Sequence, residues 1–266
     1  MKLIVLSFLC VVFAFSIAGQ TTKKPVKKTS RPGPATQTPT PEPTPEQTEP
    51  AKIPGKKNER PGATVVQQTM PAYKPNYFYE FSQPNFNISK LTIEHDEAGI
   101  GKITLMKSDW TEPDSDPIVV SPAALERIRA AFEALDFLNS TDSYQYEKDY
   151  QHLGNHKFKL VRGGKERETV FNWTVDKNAK VLMDEYRKLG NQYTWIFDMN
   201  VARQNQPLNA PGQMDLAERF IERNEFSDPI QLTAYLKEVS LDERIPLIAR
   251  NHATRLIERI EKDRDR

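Results

Sequence analysis

His152 and His156 stand four residues apart with Asp149 just upstream. Two imidazoles and a carboxylate are a donor set that can hold zinc. Gly154 lies between them, however, and His156 opens a strand-like run, so helical spacing does not bring the rings together and they read as ordinary surface histidines. Asp109, Glu112, Asp114 and Asp116 form an acidic loop that could attract calcium. It lacks the glycine that a calcium-binding helix–loop–helix loop needs at its sixth position, and reads as a solvated turn. Gly99-Ile100-Gly101-Lys102 contains the Gly-Lys pair of a phosphate loop, but Asp96 stands where the first glycine belongs and Ile103 where Ser or Thr should follow. His252 falls near the apolar stripe of the last expected helix, with no Gly-x-Ser-x-Gly elbow to accompany it, and reads as a satisfied core histidine. Tyr144, Tyr146 and Tyr150 crowd one loop. Tyrosines are enriched at binding surfaces, which makes these three the candidate binding residues; packing on the sheet edge is the other reading. No catalytic residue, metal site or cofactor is assigned.

The elements that would position these groups begin after a long preamble. Lys2 precedes an apolar run from Leu3 to Ala18, and Ser16-Ile17-Ala18 puts small residues three and one positions before a cut after Ala18. That is the layout of an export signal, and residues 1–19 are assigned to it. The alternative is an uncleaved anchor, since Lys23, Lys24, Lys27 and Lys28 follow the apolar run and basic flanks tend to stay cytoplasmic. Cys10, the single cysteine, lies inside the run after Leu9, where lipidation would need a small residue. Cleavage would leave a chain without cysteine, excluding disulfides, thiolate metal sites and cysteine nucleophiles.

Residues 20–72 are rich in Pro, Thr and Lys, with the alternating run Pro39-Thr40-Pro41-Glu42-Pro43-Thr44-Pro45. Such a segment has almost nothing to bury and reads as a disordered tether, reaching on the order of 100 Å at ~3.1 Å per residue when extended. Its stretch 21–62 carries nine basic and four acidic side chains, whereas 63–266 carries 27 basic and 32 acidic. The net-acidic remainder lacks the basic footprint expected of a nucleic-acid binder.

Residues 73–175 alternate like half-buried strands. Tyr77 to Phe81 is aromatic; Ser89, Leu91, Ile93 and His95 share one face; Ile103 and Leu105 follow after Gly99 and Gly101; and Pro117 to Val120 suits an edge strand. Ser121-Pro122 starts a helix with Leu125, Ile128, Phe132 and Leu135 on one stripe. A hairpin then turns at Gly163-Gly164, with Thr169, Phe171 and Trp173 facing one way. Residues 176–266 are helical. Leu182, Tyr186, Leu189, Tyr193, Ile196 and Val201 imply one long helix or two hinged near Gly190, with Pro207 and Pro211 ending it; Leu216 to Ile221 and Asp228 onward begin further helices. The order predicts an α+β fold, an antiparallel sheet with packed helices followed by an α-helical C-terminal half.

Residues 88–188, through Ile103-Thr104-Leu105, the helix ending Leu135-Asp136-Phe137 and the Phe158–Trp173 hairpin, loosely resemble small α+β domains of unknown function in exported bacterial proteins. Residues 228–262, with their Asp-Pro start and paired amphipathic helices, resemble one HEAT-type helical pair, although stacking repeats need about three copies. The resemblance brings no functional residues with it. The expectation is a periplasmic or secreted, non-enzymatic binding or structural module of the bacterial envelope. Its expected partner is an envelope protein or wall polymer, with no nucleic acid, and membrane contact only through a retained signal. The rival reading is a carboxylate-dependent hydrolase, which needs two carboxylates held at a set separation.

Overall fold

The computed structural model describes residues 72–265, so the segments expected to be an export signal and a tether, with Cys10 and up to residue 71, lie outside the described residues. Strands β1 (Tyr77–Ser82), β2 (Ile88–His95), β3 (Ile100–Lys107) and β4 (Asp114–Val119) run as a meander. Helix α1 (Pro122–Ala134) then crosses one face, and β5 (Asn155–Arg162) and β6 (Lys165–Phe171) add to the free side of β1. The sheet order is β4-β3-β2-β1-β5-β6, with every neighbour antiparallel. Four helices follow: α2 (Lys177–Asn205), α3 (Ala210–Glu222), α4 (Thr233–Leu241) and α5 (Leu247–Arg264). The fold is α+β, with helices forming the C-terminal half.

Local chemistry explains the joints. Ser121 caps α1 by accepting from the Ala124 amide, and Pro122 supplies the preset first helical residue. Asp176 caps α2 by accepting from the amides of Asn178 and Ala179, both at 2.8 Å. Gly163 and Gly164 both take positive φ, 58° and 78°, as a two-residue hairpin turn between right-twisted strands requires. Asp114 and Asp116, expected in a solvated turn, belong instead to β4, where they pair with Leu105 and Ile103. The inward period of two that ends at Ile118 extends back through both carboxylates.

The sheet is two-sided in character. Leu91, Ile93, Ile103, Leu105, Phe158, Leu160 and Phe171 are buried beneath α1 and the first half of α2. The outer face is charged and paired across strands: Glu80–Lys90 at 2.9 Å, Glu94–Lys102 at 3.4 Å, Lys157–Glu168 at 3.0 Å and Lys159–Glu166 at 2.7 Å. Exposed pairs of this kind contribute roughly 0–1 kcal/mol each, so the buried face carries the stability.

Helix α2 runs unbroken for 29 residues through Gly190, about 40 Å at ~1.5 Å per residue. Its first half gives Leu182, Met183, Tyr186 and Leu189 to the sheet core. Its second half gives Trp195 and Met199 to a separate core with α3, α4 and α5. Pro207 starts a short 3-10 turn beyond the end of α2, and Pro211 sits in the first turn of α3. Ile245 lies ahead of α5 but is buried in the same helical core.

Two buried tyrosine–histidine bonds brace the sheet core, one joining α2 to β2 and one joining β1 to β5. Tyr186 on α2 stacks on Tyr79 of β1 at 4.9 Å between ring centroids, and its hydroxyl lies 3.0 Å from His95 Nε2 on β2. His95 Nδ1 lies 2.9 Å from the Asp96 carbonyl, so it carries the proton and Nε2 accepts from Tyr186. Tyr79 Oη in turn lies 2.8 Å from His156 Nδ1. Burial, the dominant cause, pushes both histidines down to about 4 from 6.5. They are therefore neutral in the folded chain at neutral pH.

A depressed imidazole pKa makes stability depend on pH, because the unfolded chain binds protons that the folded chain refuses. The contribution is complete above about pH 6.5 and is lost as pH falls toward 4. At pH 5 the loss is on the order of 2 kcal/mol per histidine. Thermal melts between pH 7.5 and pH 5 should show the melting temperature falling steadily; a flat profile would contradict neutral buried histidines.

Candidate functional site

A cleft of about 610 Å³ opens where the C-terminal end of β1, the start of β2 and the middle of α2 converge. Its walls are mostly apolar. Phe81 closes β1, Ile88 and Leu91 come from β2, Leu153 from the turn before β5, and Tyr79 and Tyr186 form the floor. Phe86, 44% exposed in the β1–β2 turn, leans on Phe81 with ring centroids 5.9 Å apart and forms part of the rim. Two turns make this end of the sheet one structure, because Gln83 Nε2 donates to the Gln151 carbonyl at 2.8 Å. Gly154 is required there. Its φ is +86°, and a Cβ would fall 2.6 Å from Phe81 Cε2.

Glycine also shapes the helical wall. A Cβ on Gly190 would stand 2.9 Å from Leu91 Cδ1, so the bare backbone is what lets α2 lie close to β2. On either side of it α2 offers Arg187, Asn191 and Thr194. Arg187 is already engaged, its Nη1 2.7 Å from Glu225 Oε2 and its Nη2 3.9 Å from Asp184. Asn191 donates to the Glu225 carbonyl at 3.2 Å. The Thr194 hydroxyl oxygen is shut away from solvent and has no hydrogen-bond partner. His156, 7% exposed, presents its ring to the cleft. No aspartate or glutamate is among the lining residues.

The tyrosines singled out from the sequence lie elsewhere. Tyr144 has left-handed backbone (φ 59°) and packs inward, stacked over Phe137 at 6.4 Å and edge-on to Phe171 at 6.5 Å. Its hydroxyl accepts from Arg167 Nη1 at 3.1 Å. Tyr146 and Tyr150 lie nearly parallel with centroids 6.3 Å apart, Trp173 meets Tyr150 edge-on at 6.1 Å, and Lys148 Nζ sits 5.1 Å from the Tyr150 ring centre. Trp173, expected to share a strand face with Thr169 and Phe171, lies past the end of β6 and is 37% exposed. Asn172 holds this loop: its amide N–H donates to Gln145 Oε1, its Oδ1 accepts from Gln145 Nε2 and the Tyr150 amide, and its Nδ2 donates to Asp149. The structure thus groups Tyr146 and Tyr150 with Trp173, separates Tyr144 from them, and places none of the three tyrosines on the cleft.

Of the remaining sequence candidates, His152 contacts the Tyr150 ring while His156 turns into the core, so the two rings do not converge. Among the described residues no cluster of His, Cys, Asp or Glu has the arrangement to hold a metal ion. His252 is buried between Glu218, 3.1 Å from its Nε2, and Asp215, 3.4 Å from its Nδ1. Burial, and then the neighbouring Asp114, raises the pKa of Asp116, but neither carboxylate borders the cleft. A further charged cluster sits at the opposite end of β1. There Glu97 accepts from Arg162 Nε and Tyr77 Oη, each at 2.9 Å, and Arg129 approaches to 3.5 Å. Burial would raise the Glu97 carboxyl, but these partners outweigh it and hold the group below its ordinary value. This cluster ties the β2–β3 turn to α1 and to the end of β5.

Different packing predicts different mutational behaviour within the tyrosine loop. Tyr144→Ser should lower stability by about 2 kcal/mol through lost aromatic packing. The double variant Tyr146→Ser/Tyr150→Ser should lose under about 1 kcal/mol, since neither ring packs against the sheet core as Tyr144 does. Urea unfolding of the two variants checks this, and equal losses would contradict the assignment. The chain matches no protein-family model and no curated protein sequence, so the reading of these surfaces rests on their geometry alone.

Proposed function

We propose that the chain is an exported, non-enzymatic binding module of the bacterial cell envelope that takes its ligand in the cleft between the β1–β2 turn and α2. The observation that carries this reading is the cleft wall itself. Its volume of about 610 Å³ lies within the ~300–1,000 Å³ of small-molecule sites. Its lining combines aromatic and aliphatic side chains with a few polar groups and lacks a carboxylate pair. A carboxylate-dependent hydrolase needs two such groups facing its substrate, so the wall favours binding over hydrolysis. The expectation of an envelope protein or wall polymer as partner is narrowed by size: the cleft admits a side chain, a chain end or a small molecule, not a folded face. Tyr146, Tyr150 and Trp173 offer a second, shallower contact surface where a larger partner could rest.

Purification of the full-length chain from its native cells under non-denaturing conditions, followed by native mass spectrometry, tests this. The expected result is a non-covalent companion of a few hundred daltons, recovered chemically unchanged, which the cleft-filling variant Ile88→Trp loses while keeping its fold by circular dichroism. A bare chain, or a companion retained by Ile88→Trp, would overturn the cleft as the binding site. Recovery of split products would favour the hydrolase.

A further inference from the structure

We infer that the ligand of this cleft is an amphiphile with a single acyl chain joined to an uncharged carbonyl head, an ester or an amide, rather than a free fatty acid. The inference rests on the reading of the cleft as a ligand site and names the chemistry that site would select. Its first support is the proton inventory. Tyr79 Oη is buried, and its one hydrogen bond among the described residues is to His156 Nδ1. Burial holds its phenol well above the usual range, so it stays protonated and must donate to Nδ1. The imidazole is then the Nε2–H tautomer. Nε2 has no partner among the described residues and is not sealed from solvent, while the ring borders the cleft. The wall therefore presents a neutral N–H donor fixed by a buried hydrogen bond.

The second support is the charge balance. A carboxylate head would seek Arg187, the cation on the wall, but Glu225 already holds that guanidinium at 2.7 Å with Asp184 at 3.9 Å behind it. An added anion would meet a guanidinium already balanced by two carboxylates, in a partly apolar setting where a charge without a partner is costly. A carbonyl oxygen needs only a donor, which His156 supplies. The third support is the lining: Phe81, Ile88, Leu91 and Leu153 supply apolar side chains that suit methylenes, each methylene contributing ~0.8 kcal/mol on burial.

The test is a calorimetric titration of the full-length chain with three probes of equal chain length, each below its micelle threshold. These are N-decanoyl-N-methylglucamine, which has an amide carbonyl; decyl glucoside, which has none; and decanoate, which is charged. The amide should bind about five- to tenfold more tightly than the glucoside, the worth of one hydrogen bond, and more tightly than decanoate at neutral pH. Ile88→Trp should abolish binding of all three. His156→Phe should erase the preference of amide over glucoside; if that variant fails to fold, the order of affinities in the unaltered chain still decides. Equal binding of amide and glucoside, or tightest binding of decanoate, would overturn the carbonyl head while leaving the cleft as a ligand site. Binding of none of the probes, with a companion still found by native mass spectrometry, would overturn the acyl class alone. Binding that survives Ile88→Trp would overturn the site itself.

Discussion

Tyr186 is the contact on which the sheet half of the molecule depends. One side chain from α2 reaches the middle of the sheet, stacks on Tyr79 and donates to His95. Its hydroxyl cannot be buried without an acceptor, and His95 cannot accept unless its other nitrogen is the one protonated, which the Asp96 carbonyl ensures. Backbone carbonyl, imidazole and phenol thus form one directional chain from the end of β2 to α2. Apolar packing would hold the helix against the sheet at many registers. This chain selects one of them, and with it the position of every other residue on α2.

The cleft follows from that choice. With Tyr186 docked, the next turn of α2 brings Gly190 over Leu91, and the absence of a side chain there sets how closely the helix lies. Arg187, Asn191 and Thr194 are carried to the same edge, facing the β1–β2 turn. The site is therefore a by-product of helix docking rather than of any local motif. Its polar groups are few because its walls are the flanks of the core itself.

That origin explains what the sequence could and could not disclose. Alternation in Tyr77–Phe81, Leu91–His95 and Ile103–Leu105 showed the strands, and Ser121-Pro122 and Gly163-Gly164 marked a cap and a turn, because these rest on neighbours in sequence. The α+β class followed from their order. His95 was placed correctly on an inward face, yet its role needed Tyr186, 91 residues away. The cleft had no sequence signature: Phe86 in a polar turn and Gly190 within a helical pattern were its nearest traces. Gly190 left open whether α2 was one helix or two hinged there, since a helix propensity argument does not include the strand beneath it. Asp114 and Asp116 read as loop because two carboxylates near prolines look solvated, and only their pairing with β3 shows otherwise.

The long helix shared by both cores has a bearing on how such a chain could be shortened. Trp195 and Met199 wall the helical core, while Tyr186 and Leu189, roughly two turns before Trp195, wall the sheet core. Tyr193 and Phe197, on the same turns as Trp195, still pack against the sheet core, so the two sets overlap along the helix. A chain shortened after Leu189 would lose both side chains from the core it keeps.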